Sequence, residues 1–496
     1  MIITATLMTV AAMESRMMNL ENDFCRLKAM RRAIKEEMFT IKSYNTAVIN
    51  KPKIELNRLY PAFKINLSGL NSLFLKLMKL IFSLCLFFLA LACSAQQGPE
   101  EVDIRSVKLY RYGDQTSFPA IVLGSSDALE LHFDDLGRDV RNYYYTFQLC
   151  NADWTPSMLN SFEYIKGFQN VRISNYRSSS ISATQYVHYS ASIPDRNTTP
   201  TKSGNYLLKV FLDGDTSKLA FTRRFVVVSS LATVGAQVQQ PFNASLFRTA
   251  QKLHIVVQTD KKIQALSPTD LKVVILQNNN WRTSVLVDRP TIARGNYYEY
   301  SDEAYTALPA AREFRWVDLR SLRLRSDRVT DIENRQDTSH IFVKPDGTRS
   351  GQTYFYYRDL NGSYTVETME NINPFWQGDY AYVHFTYFPP GNKELPGNDV
   401  YMFGELTSFA GDTSGRMDFN ADKGAYEKTL FLKQGFYNYS YATLPRSGAG
   451  RPDFSQTEGD YWGTENSYVV LVYYRPFGNR ADELIGYATL NSVFQR

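Results

Sequence analysis

From Val107 to Leu490 the chain consists of short segments in which β-branched and aromatic residues alternate with polar ones, punctuated by Gly, Pro, Asn and Asp. A strand turns successive side chains to opposite faces, so a period of two specifies half-buried strands and leaves little room for amphipathic helices. Seven such segments fall within the first part, at residues 107–112, 120–123, 128–133, 141–150, 185–193, 205–212 and 220–228. That number and spacing predict an immunoglobulin-like sandwich. Its last two strands are joined through Asp213-Gly214-Asp215, where Gly214 tolerates the positive φ that tight hairpins require.

The pattern repeats, and the expected fold class is all-β, with tandem immunoglobulin-like or early-set β-sandwich domains. The first sandwich is expected over residues 96–230. The small polar stretch 229–236 then reads as a linker. A middle sandwich is expected over 231–339, with strands at 253–258, 271–277, 281–287, 297–300 and 314–319. A third, over 340–496, is the most aromatic, with strands at 363–370, 380–388, 399–404, 426–432, 436–442, 467–477 and 483–490.

Ahead of these domains, Lys79 precedes a 12-residue apolar run from Leu80 to Leu91 that gives way to small residues ending at Ala95. The run is shorter than the roughly 20 apolar residues of a membrane-spanning helix, and its charged start and small-residue finish predict a secretory signal peptide over residues 78–95. Cleavage after Ala95 makes Gln96 the first residue of the exported protein. The alternative takes Ala90-Leu91-Ala92-Cys93 as a lipobox with Cys93 acylated, although the leucine three residues before the cysteine is missing. Signal peptides normally begin a chain. Residues 1–77 are therefore expected to be a gene-model extension with at most a weak helix at 19–38, the start lying at Met78 or else between Met8 and Met18.

The leader also carries the basic charge. Residues 1–95 hold 13 of the 55 Lys and Arg but 6 of the 50 Asp and Glu, so 42 basic residues face 44 acidic ones in the remainder. A near-neutral exported chain gives no argument for nucleic acid. Only Cys150 remains outside the leader and extension, and it is expected as a buried small hydrophobe. Trp154, in a long loop, is expected to pack over the end of the first sandwich instead of offering a ligand platform. Arg315, Arg320, Arg323, Arg325 and Arg328 read as one solvated strand face countered by Asp318, Asp327 and Asp331, the competing reading being a patch that docks an acidic partner.

No catalytic pattern emerges. His132, His188, His254, His340 and His384 are widely spaced, with no H-E-x-x-H pair, no G-x-S-x-G elbow and no Walker-type phosphate loop. His188 and His384 sit in aromatic strands, where hydrogen-bonded core or rim positions are expected. No cofactor, metal or small-molecule substrate is expected. What remains is binding: the 401 residues after Ala95 include 60 aromatic ones, and tyrosine combines contact area with a hydrogen-bonding tip.

Two groups of motifs carry a family resemblance. Asp399-Val-Tyr-Met-Phe-Gly-Glu-Leu-Thr-Ser-Phe409, Tyr426-Glu-Lys-Thr-Leu-Phe-Leu-Lys-Gln-Gly-Phe-Tyr-Asn-Tyr-Ser-Tyr441 and Glu465-Asn-Ser-Tyr-Val-Val-Leu-Val-Tyr-Tyr-Arg-Pro-Phe-Gly478 lie in the third part. Phe147-Gln-Leu-Cys-Asn-Ala-Asp-Trp-Thr-Pro-Ser157, Tyr164-Ile-Lys-Gly-Phe168, Tyr186-Val-His-Tyr189 and Ser192-Ile-Pro194 lie in the first. Over roughly residues 100–496 the chain resembles the type IX secretion system plug proteins, a Bacteroidota family long catalogued only as a domain of unknown function. The resemblance implies a non-enzymatic periplasmic protein at the inner face of the outer membrane that closes the translocon β-barrel while no substrate is engaged. The third part is also similar to early-set glycogen-binding modules, which makes an exported carbohydrate-binding or surface-glycan protein the alternative. Phe409 stands where such modules often carry Trp, so shared architecture is the expectation there.

Overall fold

The computed structural model describes residues 103–493, apart from 138, 264, 266, 336–337 and 447–449. The expected signal segment with Cys93, Ala95 and Gln96, and the expected extension 1–77, lie outside the described residues. All described elements belong to one compact unit, Gly98–Arg496.

The first sandwich contains β1 (Ile104–Arg111), β2 (Ala120–Val122), β3 (Leu129–Asp135), β4 (Tyr143–Cys150), α1 (Ser161–Tyr164), β5 (Ile165–Gly167) and β6 (Val171–Arg172). It continues with β7 (Asn175–Ser178), β8 (Val187–Ile193), β9 (Thr198–Pro200), β10 (Gly204–Leu212) and β11 (Leu219–Val228). One sheet runs β1-β3-β8-β7 and the other β2-β11-β10-β4-β6. Tyr143, Tyr145, Phe147 and Leu149 of β4 meet Leu129, Leu131 and Phe133 of β3 in a single core, as the alternation of each strand requires. All seven strands expected in this part are present. The turn after β10 places Asp213 and Gly214 at φ +54° and +74°.

The second sandwich opens with β12 (Ala232–Gln239), β13 (Ala250–Thr259), β14 (Leu271–Gln277), β15 (Asn280–Val287), β16 (Ile292–Arg294), β17 (Tyr297–Tyr300), α2 (Glu303–Thr306) and β18 (Ala307–Pro309). Residues 232–236, expected as linker, instead form the start of β12, which pairs with β13 along its length. Its small residues alternate between exposed and half-buried, and the hydrogen-bonded ladder with a strong neighbour supplies what their weak apolar signal did not. β14 and β15 are joined by Asn278-Asn279, both at positive φ, the geometry of a two-residue hairpin turn.

The third sandwich takes β19 (Arg315–Asp318), β20 (Val329–Arg335), β21 (Thr338–Val343), β22 (Asp346–Gly347), β23 (Tyr364–Val366), α3 (Pro374–Gln377) and β24 (Tyr380–Phe388). β25 (Asn398–Phe403), β26 (Asp418–Asn420), β27 (Ala425–Lys433) and β28 (Gly435–Pro445) complete it. Its sheets run β19-β28-β23 and β20-β21-β24-β27-β26. The chain then returns: β29 (Ser467–Tyr474) and β30 (Glu483–Asn491) extend the second sandwich in the order β15-β14-β29-β30. A boundary at 339/340 therefore misassigns both ends of the middle segment. β19 belongs to the third sandwich, and β29 and β30 belong to the second.

The reason lies in how β29 is buried. Tyr468, Val470, Val472 and Tyr474 enter the second core. Val469, Leu471 and Tyr473 face the other way, where they meet Val226 and Val228 of β11 and Val274 and Leu276 of β14 in a cluster between the first two sandwiches. The unbroken run Tyr468-Val-Val-Leu-Val-Tyr-Tyr474 is thus a strand covered on both faces. Without it, β14 would present a long apolar edge, and a two-stranded β14-β15 sheet is marginal by itself. A chain ending at Glu465 is accordingly expected to aggregate, measured as loss of the monomer peak in size-exclusion chromatography. A middle sandwich complete by residue 339 would leave that truncation monomeric.

Candidate functional site

The outer face of the β1-β3-β8 sheet packs against the third sandwich through polar groups, with Asp134 at the centre. Asp134 is almost fully buried. Its Oδ1 lies 2.7 Å from His188 Nδ1, and its Oδ2 accepts from Tyr380 Oη at 2.5 Å and from Lys433 Nζ. Burial alone raises a carboxyl pKa, but Lys433 and His188 outweigh it and hold Asp134 below its ordinary value. Burial lowers the Lys433 ammonium, with Asp134 opposing, and the same ammonium stands 4.2 Å over the Tyr186 ring. His132 lies 3.1 Å from His188 and stacks on Phe375 at 4.1 Å. Burial, with His188 beside it, pushes His132 down to about 3. A second buried cation, Lys108 of β1, donates to both oxygens of Glu405 at 2.8 and 2.7 Å and to the Tyr364 carbonyl.

An oriented His–Asp pair invites a catalytic reading, but here the second nitrogen of His188 meets His132, and Ser106 Oγ bonds Tyr380 Oη at 2.8 Å. Among the described residues no nucleophile is bonded to the imidazole, and both members of the pair are buried. The arrangement works as a latch between sandwiches. His340 and His384 form the other pair, 3.0 Å apart, and His254 lies 3.1 Å from Glu299. Cross-strand neighbours thus gather four of the five histidines, which wide sequence spacing hid. Among the described residues no group of three His, Cys, Asp or Glu is placed to hold a metal ion.

The arginine run is not one solvated face. Arg315 is buried, bonding Asp346 at 2.7 Å and Glu458 at 3.0 Å, while Arg328 bonds Asp346 at 2.5 Å. Arg320 and Arg325 pair with Asp318 and Asp331 beyond the end of β19. Burial raises Glu458, but Arg315 and Arg349 win and hold it at about 2. This carboxylate pins the segment leading from β28 to β29. Cys150 is fully buried, and burial pushes its thiol up to about 11. Trp154 packs against Trp281 of β15 edge to face at 4.7 Å, so it lies at the seam between two sandwiches instead of over the end of one.

Where the three sandwiches meet lies a cleft of about 1440 Å³. Its walls come from β1 and β11, from the β14–β15 turn, and from residues 405–412 with Lys428–Lys433 of β27. Arg223 donates to the carbonyls of Thr222 and Val107 and stands 5.6 Å over the Phe221 ring. Arg224 stacks on Trp154 at 4.6 Å, and Lys428 donates to the Thr413 carbonyl. Among the described residues none of these three cations has a carboxylate within ion-pair distance, whereas Glu405 is already committed to Lys108. Sequence reasoning missed the cleft because it is assembled from segments hundreds of residues apart.

Asp134→Ala is expected to cost about 3–5 kcal/mol in denaturant unfolding, because it strands the buried Lys433 charge. Asp134→Leu combined with Lys433→Met should recover part of that loss. For His132 the folded pKa, about 3, lies below the ordinary 6.5. Between those values the unfolded chain binds a proton that the folded chain does not, so stability falls as pH is lowered through that window. Thermal melts from about pH 7 to about pH 4 should show this slope, and His132→Leu should flatten it.

Comparison with known proteins places this geometry. Residues 104–229, the first sandwich, match the family described as the type 9 secretion system plug protein 1st domain. The chain is also similar to a crystal structure of a hypothetical protein from Parabacteroides merdae, with 31% identity and a TM-score of 0.75 over 78% of this chain and 97% of that one. A search of curated proteins returns no match. With the first sandwich matched directly and the three-sandwich body shared with that bacterial relative, this chain belongs to the type IX secretion system plug protein family.

Proposed function

We propose that this protein, exported to the periplasm, binds the outer-membrane translocon barrel of the type IX secretion system from its inner side and occludes it. The observation that carries the reading is mechanical. Residues 98–496 form one compact unit whose sandwiches are joined by a buried apolar cluster and buried ion pairs instead of flexible linkers. A compact chain of on the order of 400 residues has a radius of gyration of roughly 21 Å. Such a body spans tens of ångströms and resists deformation, as closing a wide pore demands. The role is one of binding, without catalysis.

The loops at the sandwich ends differ in what they offer. Thr457, Glu458 and Thr464, in the segment between β28 and β29, are buried and cannot reach a partner. Residues 151–180 expose Met158 and Phe162, each about four-fifths accessible, and the β29–β30 loop exposes Phe477. Arg480 and Glu163 tie these two segments together, so the apolar side chains belong to one end of the body. A reversible seal fits an interface of roughly 1,200–2,000 Å² with apolar anchors and a polar rim.

Sugar binding requires open ring faces. On the outer face of the third sandwich Phe342, His384, His340 and Tyr382 stack on one another at 4.6–5.2 Å, so their faces are occupied by each other. Phe409 packs against Phe403 at 5.5 Å. These contacts weigh against the glycan reading.

Pull-down of the tagged protein from its native host is expected to recover the barrel. Phe162→Glu together with Phe477→Glu should reduce the recovered barrel at least tenfold while leaving the melting temperature unchanged. Deleting the gene should leave cells permeable to large hydrophilic compounds only when the translocon is present. Unchanged permeability without co-purification would refute the plug.

A further inference from the structure

β27 is half covered. It pairs with β24 from Tyr426 to Lys433, but its other neighbour, β26, reaches only Ala425, Tyr426 and Glu427. From Lys428 to Lys433 the outer edge carries no strand. Gln434 N donates to the Asp379 carbonyl, and antiparallel ladders alternate inward and outward backbone groups, so Thr429 and Phe431 turn their N–H and C=O outward. Natural sheets shorten, charge or cover such edges because each is a template for another strand. This one opens into the cleft where the sandwiches meet.

We propose that the cleft binds an extended acidic polypeptide segment of a partner protein by adding it as a strand to the outer edge of β27. The open part of the edge, Lys428 to Leu432, spans five residues, about 17 Å of strand, and ends where the Lys433 carbonyl accepts from Tyr437 Oη. The cleft, about 1440 Å³, exceeds the roughly 300–1,000 Å³ typical of pockets for single small ligands. Its charge selects the chemistry: Arg223, Arg224 and Lys428 are bonded to carbonyls or rings and not to carboxylates. Carboxylates on one face of the incoming strand complete these cations. On the opposite sheet face from Lys428, Phe431, half-buried against Tyr380 and Tyr382 at 5.1 and 4.7 Å, offers apolar contact to the alternate side chains, the usual division between backbone affinity and side-chain specificity in strand addition. The proposal goes beyond pore occlusion and stands on the edge and the cleft, whether or not the body closes a barrel.

The test is fluorescence anisotropy with the full chain and a labelled peptide of four Glu-Val repeats. Saturable binding is expected, weakened at least tenfold when Lys replaces Glu in the peptide or when alternate peptide nitrogens are methylated. On the protein, Thr429→Pro removes an outward donor at an edge where proline is tolerated, and Lys428→Glu reverses a wall charge. Each should weaken binding at least tenfold with the circular dichroism spectrum retained. Should Thr429→Pro fail to fold, the methylated peptide still isolates the backbone contribution. Absence of binding, equal affinity for the Glu and Lys peptides, or indifference to peptide methylation would overturn the proposal. Hydrogen exchange slowed by the peptide only outside residues 428–432 would overturn it as well.

Discussion

Double-sided burial of three strands, β11, β14 and β29, is the constraint on which the rest of the structure depends. Each sends one set of side chains into its own sandwich and the other set into the shared cluster around Val226, Leu276 and Leu471. Burying a side chain of this size contributes about 1.5–3 kcal/mol relative to exposure, so the seam is as apolar as a core. It forces the chain to come back from the third sandwich to finish the second. The long excursion between β18 and β29 is thereby closed at both ends, and the third sandwich is held as an insertion instead of hanging from a linker.

The other seam is built differently. Between the first and third sandwiches, Asp134–Lys433 and Lys108–Glu405 are buried ion pairs supported by Tyr380, His188 and backbone carbonyls. Such pairs add little net stability against a hydrophobic equivalent, but they punish misregistration severely, since any sliding leaves a charge unpaired. One seam thus supplies cohesion and the other a defined relative placement. Both serve a protein whose proposed work is to keep a large body in one shape.

That fixed placement also creates the cleft. The hollow where the three sandwiches meet is lined by an unfinished strand edge and by Arg223, Arg224 and Lys428, which among the described residues have no carboxylate within ion-pair distance. Residues 96–496 carry 42 basic and 44 acidic residues, so the local excess of one sign arises from geometry and not from composition.

Most strand positions, the all-β class and the family were legible in the sequence because they rest on local alternation and on motifs contiguous in the chain, whereas β12, β20 and β21 fell outside the expected strands. Tyr143 to Cys150 announces a half-buried strand, and the burial of Cys150 follows from its place there. The unbroken apolar run at 468–474 also announced a strand, but not its destination. Pairing partners were decided only in the tertiary structure: β29 with β14, β19 with β28, and β12 with β13 despite its linker-like composition. The same holds for His132 with His188 and for Arg315 with Glu458, where residues read as dispersed or solvated became buried partners. Sequence fixes which face of a strand is apolar, since that needs only a period of two. Which distant surface covers that face is set by the closure of the whole chain, and no local pattern encodes it.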